Sequence, residues 1–214
     1  MRNPLTGIMG YTQLVQGMAA TIAPAKIREL TGKALNGCWE MGEILTRFST
    51  LLKADRGELD GVREPFDVVE AVAQCVNDLS IRFDRSALAV DDRLGGKGLN
   101  IVSNRDLFGK MTTSLLYYAI MTAEKGDPVR VAVRKDGPRG AVDIEGRVAP
   151  LAGTLAELER RGWRSLCADR SSRNPDPGFL CSFSHRAAAE LGIALRATAG
   201  EGGKGTLSML LPGE

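Results

Sequence analysis

The sequence has a single histidine, His185, and four cysteines that stand far apart at Cys38, Cys75, Cys167 and Cys181. No two cysteines form a CxxC pair, so the ligand spacing of a zinc site is missing and no metal is expected. The cysteines read instead as small buried hydrophobes in a reducing cytosol. Long apolar runs are missing too. The best stretch, Leu115 to Ala123, is interrupted by Tyr117, Tyr118 and Thr122, and it falls well short of the ~20 residues a membrane helix needs. No charged-then-apolar leader precedes a small-residue cleavage site. The expectation is therefore a cytoplasmic chain with no membrane segment of its own. An excess of one charge is lacking as well: 28 Lys and Arg face 26 Asp and Glu, a net +2. That excludes a general attraction to nucleic acid or to an anionic membrane surface. Internal repeats and low-complexity tracts are absent.

What is present is an ordinary globular composition over 214 residues, 43% hydrophobic and 25% charged. That length supports one large domain or two small ones, each with a real core. The pattern changes near residue 60. Before it, Leu5, Ile8, Tyr11, Val15 and Met18 recur at helical steps, and Pro24 suits the first turn of a new helix. The second stripe is cleaner: Ala34, Cys38, Met41, Leu45, Phe48 and Leu52 alternate steps of four and three, which is heptad spacing. Two such helices make an antiparallel hairpin. Its stripe is buried either by a second copy, giving a dimeric four-helix bundle, or by the rest of the same chain.

The polar stretch "KADRGELDGVREPFD" reads as a linker. Beyond it, helical patterns ("VVEAVAQCVNDLSIRF", "NRDLFGKMTTSLLYYAIMTAEKG", "LAGTLAELERRGW", "FSHRAAAELG") mix with short strands ("LAVDDRL", "GLNIVS") and two hairpins. Asn104 or Asp106 suits the start of the long helix, and Gly126 lies past its end. The fold class expected is α+β: a helical hairpin over 1–56, a linker over 57–64 and an α/β sandwich over 65–214. "GEGGKGT" has a superficial likeness to a phosphate-binding loop. Lys204 is followed by Gly205 rather than Ser or Thr, so the stretch reads as the turn of the last hairpin. The arginines of "ELERRGWRSLCADRSSR" are diluted by Glu157 and Glu159 and read as a solvated helix face.

The order of these pieces resembles the core of two-component sensor histidine kinases. "RNPLTGIMGYTQLV" resembles the phosphoacceptor helix, which in that family reads His-Glu-x-Arg-(Asn/Thr)-Pro-Leu-Thr-x-Ile-x-Gly-Tyr. "ILTRFSTLLKADRGELDGVREPFDVVEAV" resembles the end of the second helix and the linker to the ATP-binding domain. "DLFGKMTTSLLYYAIMTAEKGDPVRVAV" resembles the helix that carries the catalytic asparagine. "GFLCSFSHRAAAELGIALRATAGEGGKGTLSMLLP" resembles the last glycine box, helix and hairpin. The resemblance covers nearly the whole chain and implies an ATPase-like sandwich of the histidine-kinase type.

The departures from the family pattern fall on its chemistry. Aligned on Arg2-Asn3-Pro4, the phosphorylated histidine would stand two residues before Met1. His185 lies in the helix after the last glycine box and reads as a surface or packing residue. Where the family has Asn-Leu-Leu-x-Asn-Ala, with its second Asn on Mg²⁺, this chain has Ser114-Leu115-Leu116-Tyr117-Tyr118-Ala119. Tyr118 is a poor neutral ligand, and its ring fills space that phosphates need. Against the family's Asp-x-Gly-x-Gly the chain is aligned as Glu145-Gly146-Arg147-Val148-Ala149. Glu145 then replaces the adenine-binding Asp, and Arg147 and Ala149 replace the glycines. In the last box, Gly178-Phe179-Leu180-Cys181, Leu180 replaces the glycine whose amide meets phosphate. The expectation is no cofactor and no autokinase activity.

Three functions are compatible with these losses. A non-catalytic signalling protein would act as a homodimer by binding a response-regulator receiver domain or another histidine kinase. A phosphatase would use Asn3, which holds the position where the family's Asn or Thr orients a water on a receiver's aspartyl phosphate. The structural alternative for Asn3 is a helix cap at Pro4. A phosphotransfer protein would need a histidine upstream of Met1, in a longer chain of which this is a fragment.

Overall fold

The computed structural model describes residues 12–13, 25–59, 61–81, 88–92, 98–124, 127–136, 139–161 and 177–212. The chain separates into two compact units, Met1–Asp55 and Arg56–Glu214.

In the first unit, α1 (Ala25–Asp55) is one helix of 31 residues. Lys53 in its last turn complements the negative helix end, and Glu43 and Arg47, one turn apart, form an ion pair at 3.1 Å. The heptad stripe is largely open: Met41, Leu45, Phe48 and Leu52 are 38–56% exposed. The helix expected from Leu5 to Met18 lies outside the described residues, apart from Thr12 and Gln13, which are helical.

The second unit pairs helices with a five-stranded sheet. Its elements are β1 (Glu64–Asp67), α2 (Val68–Ser80), β2 (Leu88–Asp92), β3 (Asn100–Ser103), α3 (Arg105–Thr122), β4 (Val129–Asp136), β5 (Arg139–Gly146), α4 (Ala149–Arg161), α5 (Pro177–Leu191), β6 (Ala194–Ala199) and β7 (Gly205–Leu210). The main sheet has the order β2-β4-β5-β7-β6, with β2 and β4 parallel and the other pairs antiparallel; β1 and β3 form a separate ribbon. This is the mixed helix-and-sheet sandwich that the sequence order implied.

Alternation along the strands decides which face is core. Val129, Val131, Val133, Val142, Ile144, Leu207 and Met209 are all 0% exposed. By register, Arg130, Arg134, Asp143, Glu145, Thr206 and Ser208 share the opposite, polar face. There Asp143 is satisfied twice: it pairs with Arg134 and accepts from the Ser208 hydroxyl at 2.6 Å. The helical layer touches the sheet through α2 on β2, α3 on β4 and β5, α4 on β6 and β7, and α5 on β6, while α3 also packs on α2 and α5.

Two elements differ from the sequence reading. β1 lies partly in the stretch read as linker. Pro65 is tolerated because it is exposed on a two-stranded ribbon, and Phe66 is buried with its ring centroid 5.4 Å from that of Phe108. Helix α5 begins at Pro177 rather than near Phe183. Proline suits a first helical position, and Leu180, Phe183, Ala187 and Leu191 are all buried at three- and four-residue steps. The glycine turn before β7 is a turn, with Gly202 and Gly203 at φ 65° and 80°, values that favour glycine. Among the described residues, no helix is long and apolar enough to cross a membrane.

Candidate functional site

The stretch Ser114–Ala119 occupies the second half of α3. That helix is started by Asn104, whose Oδ1 accepts from the Leu107 amide at 3.0 Å. All six residues are buried, Tyr118 at 5% exposure. The end of α3 is tied to the turn after β5, because the Thr122 hydroxyl donates to the Arg147 carbonyl at 3.0 Å. Helix α5 packs along α3, and its first turns bury Leu180, Cys181, Ser182, Phe183 and Ser184. Gly178–Cys181 is thus the first turn of a packed helix rather than an open loop. Burial pushes the Tyr118 phenol up to about 12, and the nearby Cys181 thiol adds to the shift. Tyr118 and the Leu180–Cys181 turn are therefore brought together in one packed interface between two helices.

Glu145 is not part of that interface. It pairs in register with Arg130 on one side and Thr206 on the other, on the polar face of the sheet. The neighbour that faces the helices is Ile144, 0% exposed. The family comparison can also be set one residue earlier, in step with this pleat. Ile144-Glu145-Gly146-Arg147-Val148 then meets Asp-x-Gly-x-Gly, with Gly146 on a glycine, Val148 on the other and Ile144 on the aspartate. Sequence reasoning missed Ile144, although the alternation Val142, Asp143, Ile144, Glu145 carried the signal.

Arg147 and Ala149 lie beyond the strand. Ala149 opens α4. The Arg147 guanidinium pairs with Glu124 at 2.8 Å and approaches Asp127 at 4.0 Å, and Asp127 also pairs with Lys204 at 3.1 Å. These groups border a pocket of about 360 Å³ at the strand ends, with Glu145, Arg130 and Thr206 in its wall. The sequence reading did not anticipate this pocket. Asn3 lies outside the described residues. His185 is half-buried on α5. Among the described residues, no group of three or more His, Cys, Asp and Glu side chains is arranged to hold a metal ion.

No protein-family model matches the chain, and no curated protein matches it in sequence. Solved structures do match. The Acinetobacter baumannii histidine kinase AdeS is similar at 14% identity with a TM-score of 0.60, over 98% of this chain and 95% of its own. Full-length ShkA in complex with AMPPNP is similar at 13% identity with a TM-score of 0.65, over 99% of this chain and 43% of its own. The nucleotide-free catalytic domain of the histidine kinase ThkA is similar at 11% identity with a TM-score of 0.54, over 71% of this chain and 95% of its own. At these identities the likeness is one of fold.

Proposed function

From the histidine-kinase core fold that the chain shares with those structures, we propose that it is a two-component signalling protein that works by binding rather than by phosphoryl transfer from ATP. One observation carries this reading: Tyr118, at the family's magnesium-asparagine position, is 5% exposed. It lies in a helix packed against α5, with its phenol beside Cys181. A ligand oxygen for Mg²⁺ is replaced by a ring held in a filled interface, and a neutral phenol does not substitute for a carboxamide on that metal. Ile144 adds to the case. It is the residue of the β5 end that faces the helices, and it has no acceptor for an adenine amino group. The residues present do not fit Mg-ATP in the family's manner, and no step is derived through it.

The binding role has its own support. Met41, Leu45, Phe48 and Leu52 present an exposed apolar stripe along α1. At heptad spacing such a stripe suits a second copy of the same helix, giving a homodimer through the N-terminal unit. The partners proposed are a response-regulator receiver domain or another histidine kinase, engaged by protein–protein contact. Regulation would then be competition for a surface, which needs neither a phosphoacceptor histidine nor the family's glycines.

The test combines two measurements on the whole chain. The protein is incubated with Mg-ATP labelled at the γ-phosphate, and separately titrated against receiver domains in their phosphorylated and unphosphorylated forms. The reading predicts no label on the chain and saturable receiver binding with an unchanged acyl-phosphate lifetime. Label incorporation would contradict it. A lifetime shortened by the protein, and restored by Asn3→Ala, would move the function to receiver dephosphorylation.

A further inference from the structure

The pocket at the strand ends has a chemistry that the signalling reading does not use. Six side chains reach it from separate elements: Arg130 from β4, Glu145 and Thr206 from neighbouring strands, Asp127 from the loop after α3, Arg147 from the turn after β5 and Lys204 from the last hairpin turn. Its acidic groups are already engaged. Asp127 holds Lys204 at 3.1 Å and lies 4.0 Å from the Arg147 Nε, and Glu145 has a partner of its own. Its guanidinium donors are not all engaged. Arg130 stands directly across from Glu145 in the ladder, yet among the described residues it makes no ion pair. The Arg147 Nε is buried and has no hydrogen-bond acceptor among the described residues. The unused capacity is on the donor side, so what would fill it is an acceptor.

We propose that this pocket is a binding site for a small molecule carrying a phosphate or carboxylate group, held by Arg130 and the Arg147 Nε, with the Thr206 hydroxyl beside them. Guanidinium groups match such oxyanions with two parallel N–H donors. The volume, about 360 Å³, is at the small end of the ~300–1,000 Å³ usual for ligand pockets. The site belongs to the polar face and the strand ends. It is therefore separate from the interface that holds Tyr118, and it does not rest on the signalling function or on the dimer.

Inorganic phosphate and malonate serve as the two probes, each titrated into the full-length protein at constant ionic strength while the melting temperature is followed. The expected result is a saturable rise for one or both probes, with the stronger probe telling phosphate from carboxylate. Arg130→Ser weakens the apparent Kd about tenfold, the usual scale for losing hydrogen bonds to a charged group. Arg130 is exposed and makes no ion pair among the described residues, so the variant keeps the parent's urea midpoint. Lys135→Ser, which removes the same charge from an exposed residue farther along β4, leaves the titration unchanged. A rise no larger than that from chloride, or equal weakening by the two substitutions, would overturn the proposal.

Discussion

Alkaline pH combined with Tyr118→Phe tests how completely the interface between α3 and α5 excludes water. The Tyr118 side chain is 5% exposed, and its phenol is pushed up from 10 to about 12, first by burial and then by Cys181. In the unfolded chain a tyrosine titrates near ~10. Between those values the unfolded chain gives up the proton while the folded chain keeps it. This contribution to stability is therefore fully present below pH ~10 and is lost as the pH rises towards ~12. Each pKa unit corresponds to about 1.4 kcal/mol, so two units amount to roughly 2–3 kcal/mol. Tyr118→Phe keeps the ring and removes the ionisation. Urea unfolding at pH 8, 9.5, 10.5 and 11.5, run on both proteins, separates this effect from the lysines and other tyrosines common to the two. The variant gains on the parent by about 2 kcal/mol between pH 8 and 11.5, most of it above pH 10. Parallel curves would mean that the phenol ionises as it does in water, and the argument from a filled interface would fail.

Three further outcomes follow from the same geometry. Tyr118→Asn, which restores the family's residue type at one position, costs about 3 kcal/mol in urea unfolding through the cavity it leaves. It also confers no Mg-ATP binding, because Ile144 and Leu180 remain. Phe48→Lys, placed in the middle of the exposed α1 stripe, shifts sedimentation equilibrium from dimer to monomer while the helical circular dichroism of the second unit persists. Asp143→Ala removes a buried carboxylate that accepts from Ser208 and pairs with Arg134, and it lowers stability by about 2–3 kcal/mol in the same unfolding assay.

The order of elements was legible because most of them carry a simple period. α2 and α3 follow helical spacing, and β4 and β5 alternate. Met41, Leu45, Phe48 and Leu52 of the exposed face of α1 were named from the heptad spacing, while the exposed Ile44 falls outside it; nothing in the sequence chooses between a second copy and the same chain as its cover. β1 was hidden because four residues containing a proline and two charges do not look like a strand. It is fixed by Phe66 packing on Phe108, a contact between residues 66 and 108 that no local pattern contains. The start of α5 was hidden by a glycine, whose low helix propensity was outweighed by the buried Leu180 and Phe183.

Tyr118 and Leu180 were named from the sequence comparison, and the structure buries both side chains. At β5 the sequence comparison was set on Glu145, which is chemically closer to aspartate than Ile144 is. The pleat puts Ile144 rather than Glu145 on the buried face, because a shift of one position moves a side chain to the other face. The pocket at the strand ends was not legible at all. Its residues run from Ala123 to Thr206 and meet only through strand register and the turns between the elements.

The most direct measurement is a calorimetric titration of the full-length protein with a non-hydrolysable ATP analogue, with and without Mg²⁺. The account predicts no saturable metal-dependent heat at millimolar analogue. One-to-one binding that requires Mg²⁺ and is abolished by an obstruction beside Tyr118, such as Ala119→Trp, would contradict it.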